Sequence, residues 1–301
     1  MKKLLYSISI LFVMGCHSHI NPSYTALSAV FDKEGHRGCR GLMPENTIPA
    51  YLKAVDLGVS TLEMDAIITK DSQVIMSHEP FFNHEITTKP DGSYVAEAEE
   101  KSLNMYHMDY TDIKQFDVGL KPHPRFPKQQ KIKAVKPLLK DVIDSVETYC
   151  ARNGKQPLQY NIETKCMPAT DDIYHPKPEP FVELLMGVIK EKKIEDRVMI
   201  QSFDIRSLQY LHDHYPAMKT ALLIEDTDTK PFALQLKDLG FIPTIYSPAY
   251  QLVTPLLVKQ CHDTGIKIIP WTVNDKTEIN RLKNLGVDGI ISDYPNLFNE
   301  Q

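Results

Sequence analysis

Along most of its length the chain alternates short β-branched and aliphatic runs with stretches whose apolar positions recur every three or four residues. The first kind reads as buried strands and the second as amphipathic helices. Strands are expected over residues 35–38, 61–68, 158–164, 198–203, 220–224, 242–247, 266–273 and 289–293. Helices are expected over 47–57, 180–192, 205–214, 232–239, 255–264 and 276–285. Four of these helical runs are followed directly by glycine, at Gly58, Gly240, Gly265 and Gly286, the residue that best tolerates a left-handed helix end. Eight strands alternating with helices predict an α/β fold of the (β/α)8 TIM-barrel kind, with a doubly wound open sheet as the alternative.

Two segments break the rhythm. Residues 74–77 form another apolar run, too close behind Ile68 for a helical crossover, which needs a dozen or more residues. With Lys70-Asp71-Ser72 as a turn, this run should fold back as an antiparallel arm that returns His78 towards the second strand. Residues 81 to 137 carry scattered aromatics and Pro122, Pro124, Pro127 and Pro137, and read as an insertion over one barrel end.

The first 15 residues follow a different pattern: Lys2 and Lys3, an apolar run from Leu4 to Met14, then Gly15 and Cys16. The run is shorter than the roughly 20 residues needed to span a bilayer but fits a signal-peptide core. Val13-Met14-Gly15-Cys16 resembles a bacterial lipoprotein cleavage box, which makes Cys16 the lipidated first residue of the mature chain. Residues 1–15 are then a signal peptide, 16–32 a polar tether and 33–301 the barrel. Neither His17 nor Ser18 is acidic, so the expected location is the bacterial envelope, on an outer-membrane lipid anchor facing the periplasm.

The whole chain has 301 residues, 42% hydrophobic and 24% charged, and a formal net charge of −5, enough for a substantial core and unlike a disordered protein. Removing Lys2 and Lys3 takes the charge to −7, so acyl chains rather than basic residues would hold the mature protein to a membrane. No Lys/Arg stripe suited to nucleic acid is present; residues 128 to 136 read as a solvated basic loop. Cys39, Cys150, Cys166 and Cys261 form no CxxC pair, which argues against zinc. Free buried thiols are the default, although an exported protein permits one or two disulfides.

Side chains two apart on a strand share a face, so Glu63 and Asp65 point one way, as do Asn161, Glu163 and Lys165, while Leu62, Met64 and Ile162 point to the apolar side. Buried carboxylates are costly unless a cation or basic partners compensate. Hard oxygen donors suit Mg2+ or Ca2+; an internal salt-bridge network with Arg37 and Lys165 is the other reading. His36 and His78 flank this cluster and can move protons near neutral pH. His84, His107, His175, His212 and His214 lack such company and read as surface or packing residues. Pro44 to Thr47 could be simply a capped helix start, but capping does not require Glu45.

These residues resemble the glycerophosphodiester phosphodiesterase family: HRG at 36–38, PENT at 44–47, the Glu63/Asp65 pair, SHEP at 77–80, NIETK at 161–165, QSF at 201–203, PWTVN at 270–274 and DGIISDYP at 288–295 occur in the family order. The resemblance runs from Glu34 to Asn296. It implies a phosphodiesterase-type barrel that hydrolyses glycerophosphodiesters to sn-glycerol 3-phosphate and an alcohol with one divalent cation, Ca2+ or Mg2+. It implies metal ligands at Glu63, Asp65 and Glu163, an acid/base pair at His36 and His78, phosphate contacts from Arg37 and Lys165, and a pocket lined by Gln201, Phe203 and Trp271. Departures from the family pattern are Arg40 beside the HRG turn, Glu79 where aspartate is common, and Thr164 between Glu163 and Lys165. Two competing readings are a related barrel acting on a lysophospholipid or phosphoinositide, and a lipoprotein that binds phosphoryl ligands without catalysis.

Overall fold

The computed structural model describes residues 31–299. The signal segment, Cys16 and the tether up to residue 30 lie outside the described residues. The order of elements is β1 (Asp32–Gly35), α1 (Ile48–Asp56), β2 (Thr61–Ile68), β3 (Val74–Met76), α2 (Tyr110–Ile113), α3 (Leu139–Arg152), β4 (Gln159–Thr164), α4 (Pro178–Lys192), β5 (Val198–Ser202), α5 (Ile205–His214), β6 (Lys219–Ile224), α6 (Phe232–Leu239), β7 (Ile245–Pro248), α7 (Pro255–Asp263), β8 (Lys267–Ile268), α8 (Lys276–Leu285) and β9 (Gly289–Ser292).

Eight of the nine strands run parallel in the order β8-β7-β6-β5-β4-β2-β1-β9, and β3 pairs antiparallel with β2. The two ends of this order meet through single backbone bonds: Asp288 N–H to Ile268 O at 2.9 Å, and Ile291 N–H to Pro270 O and Val273 N–H to Ile291 O, both at 3.0 Å. The sheet is therefore a nearly closed (β/α)8 barrel, and the open-sheet alternative is excluded. The arm folds as the sequence indicates, with Ser77 N–H donating to Asp65 O at 2.9 Å and His78 just beyond β3.

Strand phase divides the interior. Leu62, Met64, Ile162, Ile200 and Leu222 join the main core under the helices, as do Phe181, Leu185 and Ile189 from α4. Met199, Ala221, Ile245 and Ile291 from β5, β6, β7 and β9 form a separate cluster with Ile269, the residue after β8, and Trp271 packs against it. This apolar cluster fills part of the barrel interior, and the polar side chains of β1, β2, β4 and β5 fill the rest. Because Ile200 faces the helices, Ile200→Ala should cost about 2–5 kcal/mol in urea denaturation and leave turnover of the folded fraction unchanged.

Several boundaries differ from the sequence reading. The first strand is β1, not residues 35–38: the charged run Asp32-Lys33-Glu34 conceals a strand, and His36 to Gly38 form the turn after it. β8 is only two residues long because Pro270 has no N–H to give the ladder, although Trp271 N–H resumes bonding at Pro248 O, 3.0 Å away. α3 was not expected. The insertion is more than a cover, since Phe82, Val95, Met105, Ile113, Phe116 and Val118 build a small core of their own against Ile67, Ile75 and Leu138. The basic stretch 128 to 136 is not wholly solvated: Lys136 is 5% exposed and donates to Ser77 Oγ at 2.7 Å. Cys39, Cys150, Cys166 and Cys261 are buried free thiols.

Candidate active site

The site is assembled at the carboxyl ends of the barrel strands, where functional side chains of this architecture collect. β2 and β4 are paired with Glu63 opposite Asn161 and Asp65 opposite Glu163, so shared register sets the three carboxylates side by side. Ligand oxygens of Glu63, Asp65 and Glu163 lie within 4.8 Å of one another, and all three residues are buried. Asp65 Oδ2 accepts from Asn46 Nδ2 at 2.8 Å, whereas Asp65 Oδ1 is buried without a hydrogen-bond partner. A buried orphan oxygen within an all-carboxylate group fits a hard divalent cation.

The electrostatics agree with that fit. Burial, then the neighbouring Asp65 carboxylate, holds the Glu63 carboxyl well above its usual range. Burial raises Glu163 too, with Lys165 opposing. For Asp65 burial is outweighed by Arg37 and Lys165, which keep it well below the ordinary carboxylate range. Three ionised carboxylates at this spacing need more positive charge than these two side chains supply. The salt-bridge reading is also realised, since Lys165 Nζ is 2.7 Å from Glu163 Oε1 and Arg37 Nε is 3.1 Å from Asp65 Oδ2. Ion pairs with Arg37 and Lys165 are therefore built into the same cluster whose carboxylates could hold a cation.

The turn after β1 is tight. Arg37 has φ +49 and Gly38 φ +85, and a Cβ on Gly38 would stand 2.7 Å from the Ala50 carbonyl carbon. Only glycine suits that position. The turn lets Arg37 donate its backbone N–H to Glu63 Oε2 at 2.8 Å while its Nη1 donates to Glu45 Oε1 at 2.8 Å. Glu45 thus holds the arginine, which accounts for a residue that helix capping left unexplained. Thr47 supplies the cap, its Oγ1 accepting from Ala50 N–H.

Each imidazole is gripped at Nδ1 by a carboxylate. His36 Nδ1 is 2.6 Å from Asp293 Oδ1, and His78 Nδ1 is 2.7 Å from Glu79 Oε1. Burial would raise the Asp293 carboxyl, but contacts with His36 and Arg40 outweigh it and hold it far below the usual range. Glu79 is held low in the same way by His78 and Arg37. An ionised carboxylate can only accept, so the proton of each neutral ring sits on Nδ1 and Nε2 keeps its lone pair. His36 Nε2 lies 3.9 Å from Glu63 Oε2. Burial takes His36 down to about 4, and burial with Arg37 and Lys165 lowers His78.

His36, His78, Arg37, Lys165, Glu63 and Glu163 line a cavity of about 690 Å³ that also contains Gln201, Phe203 and Trp271, so every site residue expected in the described region reaches it except Asp65. Gln201 Nε2 donates to Glu63 Oε1 at 2.8 Å, and Trp271 Nε1 donates to Ser247 O at 2.9 Å. Phe81 and Arg125 reach the cavity from the insertion. Among the other described histidines only His175 lines it, and its ring nitrogens are engaged by Met167, Thr170 and Pro176.

Asp293 is the principal residue without an assigned role in the sequence reading. It accepts from Arg40 Nε at 2.9 Å, Arg40 Nη2 at 3.1 Å and Asn274 Nδ2 at 2.7 Å as well as holding His36. The available signal was its place directly after the last strand, which pairs with the first. The departures also acquire roles: Arg40 anchors Asp293, Glu79 orients His78, and Thr164 Oγ1 bonds Ser202 Oγ at 2.9 Å, away from the cavity.

The model of the glycerophosphoryl diester phosphodiesterase family matches residues 36–297. A glycerophosphodiester phosphodiesterase from Caldanaerobacter subterraneus subsp. tengcongensis is 30% identical over 262 residues, covering 86% of this chain and 93% of that one. A crystal structure from Silicibacter pomeroyi bearing the same family name superimposes with a TM-score of 0.79 at 30% identity, covering 89% of this chain and 91% of the other. An Oleispira antarctica phosphodiesterase solved with its product sn-glycerol-3-phosphate shares the fold, with a TM-score of 0.69 at 20% identity and coverage of 88% and 94%. With the motifs, the barrel and the carboxylate cluster all in place, the chain belongs to the glycerophosphodiester phosphodiesterase family.

Proposed function

We propose that this protein hydrolyses glycerophosphodiesters to sn-glycerol 3-phosphate and an alcohol, using Glu63, Asp65 and Glu163 to hold one divalent cation and His36 and His78 as the acid/base pair. The observation that carries the reading is the meeting of a buried carboxylate triad, with one unpartnered oxygen on Asp65, and two carboxylate-held imidazoles at one cavity. A Ca2+ or Mg2+ ion bound by the triad would supply positive charge to the phosphate in the transition state.

The chain's own groups do the rest. Arg37 and Lys165 offset charge gathering on the phosphate oxygens. His36 is the base: its Nδ1 proton is committed to Asp293, so Nε2 accepts the proton of the nucleophile. His78, held by Glu79, gives a proton to the departing alcohol oxygen. Phe203, Trp271 and Leu223 close the cavity wall and limit water around the charged groups.

Product identification tests the reading. Glycerophosphocholine incubated with cation-loaded enzyme should give sn-glycerol 3-phosphate and choline; glycerol and phosphocholine would show that the other P–O bond is cut and overturn it. A second reading, a diester that keeps one acyl chain, is favoured by Met167, which lines the cavity yet is 59% exposed. Release of lysophosphatidate from lysophosphatidylcholine distinguishes it. Anchoring through lipid at Cys16, facing the periplasm, rests on the leader sequence alone and is tested by globomycin-type inhibition of processing.

Asp293 acts through His36 and is a positioning residue. Asp293→Asn should lower kcat by about 10–10² while KM and cation affinity stay near wild type. A change in KM alone would contradict the assignment.

A further inference from the structure

We propose that Glu34, inside the barrel but outside the cavity, is a positioning residue for Glu63 and acts on it through the amides of Asn161 and Gln201. The proposal rests on the cation reading of the triad and adds to it a residue that does not line the cavity. Four side chains from four strands form one hydrogen-bonded line. Asn161 Nδ2 on β4 donates to Glu34 Oε2 on β1 at 2.8 Å and to Gln201 Oε1 on β5 at 3.1 Å, and Gln201 Nε2 donates to Glu63 Oε1 on β2 at 2.8 Å. All four residues are buried, so solvent does not compete for these bonds.

The line has a direction. An amide offers a carbonyl on one side and an amino group on the other, and Asn161 turned over would set its carbonyl against the oxygens of Glu34 and Gln201. Glu34 as acceptor thus fixes Asn161, Asn161 fixes the Gln201 carbonyl, and the Gln201 amino group is left to face Glu63. Glu63 Oε2 already takes the Arg37 backbone N–H at 2.8 Å, so the Gln201 bond is the second of two that stop this carboxylate from turning. The far end is tied as well. Glu34 Oε1 meets no hydrogen-bond donor in the interior, as befits an oxygen that carries a proton of its own. Burial, then the nearby Asp32 carboxylate, holds the Glu34 carboxyl well above its usual range, and Asp32 is the acceptor for that proton's hydrogen bond. Asp32 Oδ1 is anchored in turn by the hydroxyls of Ser60 and Thr61, at 2.6 and 2.7 Å. A glutamine in place of Glu34 can do both jobs, donating to Asp32 and accepting from Asn161.

Isothermal titration of wild type and variants with Ca2+ and Mg2+ reads this line independently of turnover. Glu34→Met removes the acceptor and should weaken cation binding by about 10- to 100-fold, the usual cost of losing a partner that orients a metal ligand. Asn161→Leu cuts the same line one link further on and should cost as much, so either variant decides the matter where the other does not fold. Glu34→Gln should bind cation as wild type does. A Glu34 that only packs the barrel would lower the melting temperature of Glu34→Met and leave the cation affinity of the folded protein unchanged, and that result overturns the proposal. A loss in Glu34→Gln as large as that in Glu34→Met overturns it too. Wild type that binds neither cation would instead overturn the cation reading itself, and the proposal with it.

Discussion

Glu163→Ala is expected to lose divalent-cation binding and, with it, at least about 10³ in kcat/KM. A Lewis-acid cation contributes several kcal/mol of charge stabilisation, and each 1.36 kcal/mol is tenfold in rate. Glu163 is the only triad member that β2 does not supply, and its placement depends on β4 pairing in register with Asp65. Deleting it leaves Lys165 beside Asp65 at 3.8 Å, so the ammonium can move into the vacated charge rather than stand unpaired. The fold should survive, because Ile162 and Tyr160 on the same strand keep their outward packing. Isothermal titration with Ca2+ and Mg2+ measures the loss, and Glu163→Gln separates charge from shape. An alanine variant that binds cation as wild type does would remove Glu163 from the site.

His36→Ala and His78→Ala are each expected to cut kcat by about 10²–10⁴ while cation affinity is retained. Neither should unfold the protein. Without His36, the Asp293 carboxylate still accepts from Arg40 and Asn274, so no buried charge is abandoned. His78 lies at the cavity edge with its side chain 32% exposed. The two differ in pH response. Burial keeps His36 neutral down to about 4, so the base form persists at mildly acidic pH, while His78 must be protonated to donate to the alcohol. Activity should therefore decline on the alkaline side first, and His78→Ala should flatten that limb. Near-normal turnover in either variant would contradict the acid/base assignment.

The legible parts of the site were those governed by period. Glu63 and Asp65, two apart on a long strand, had to share a face, and Leu62 and Met64 had to leave it; the register with β4 then delivered Glu163. His78 was legible because a five-residue gap after Ile68 admits a turn and not a crossover. What was hidden depended on contacts between distant segments. β1 was obscured because Glu34 is wholly buried inside the barrel, where its Oε2 accepts from Asn161 Nδ2 at 2.8 Å, a pairing invisible in sequence. α3 begins at Leu139 behind Leu138, which offers no side-chain cap, so the usual start signal was missing even though Leu139, Val142, Ile143, Val146 and Cys150 form a buried stripe. Lys136 read as solvent-facing because it closes a lysine-rich stretch whose Lys128, Lys131 and Lys133 are exposed; it is buried where the end of the insertion meets Ser77 on the His78 arm. Asp293 required knowing that the first and last strands pair.

The most direct test of the account is glycerol 3-phosphate release by chelator-stripped enzyme before and after addition of Ca2+ or Mg2+. The account predicts negligible release from stripped wild type, restoration by at least one of the two cations at about one equivalent, and no restoration in Glu163→Ala. Full activity in the stripped enzyme, or equal restoration of Glu163→Ala, would contradict it.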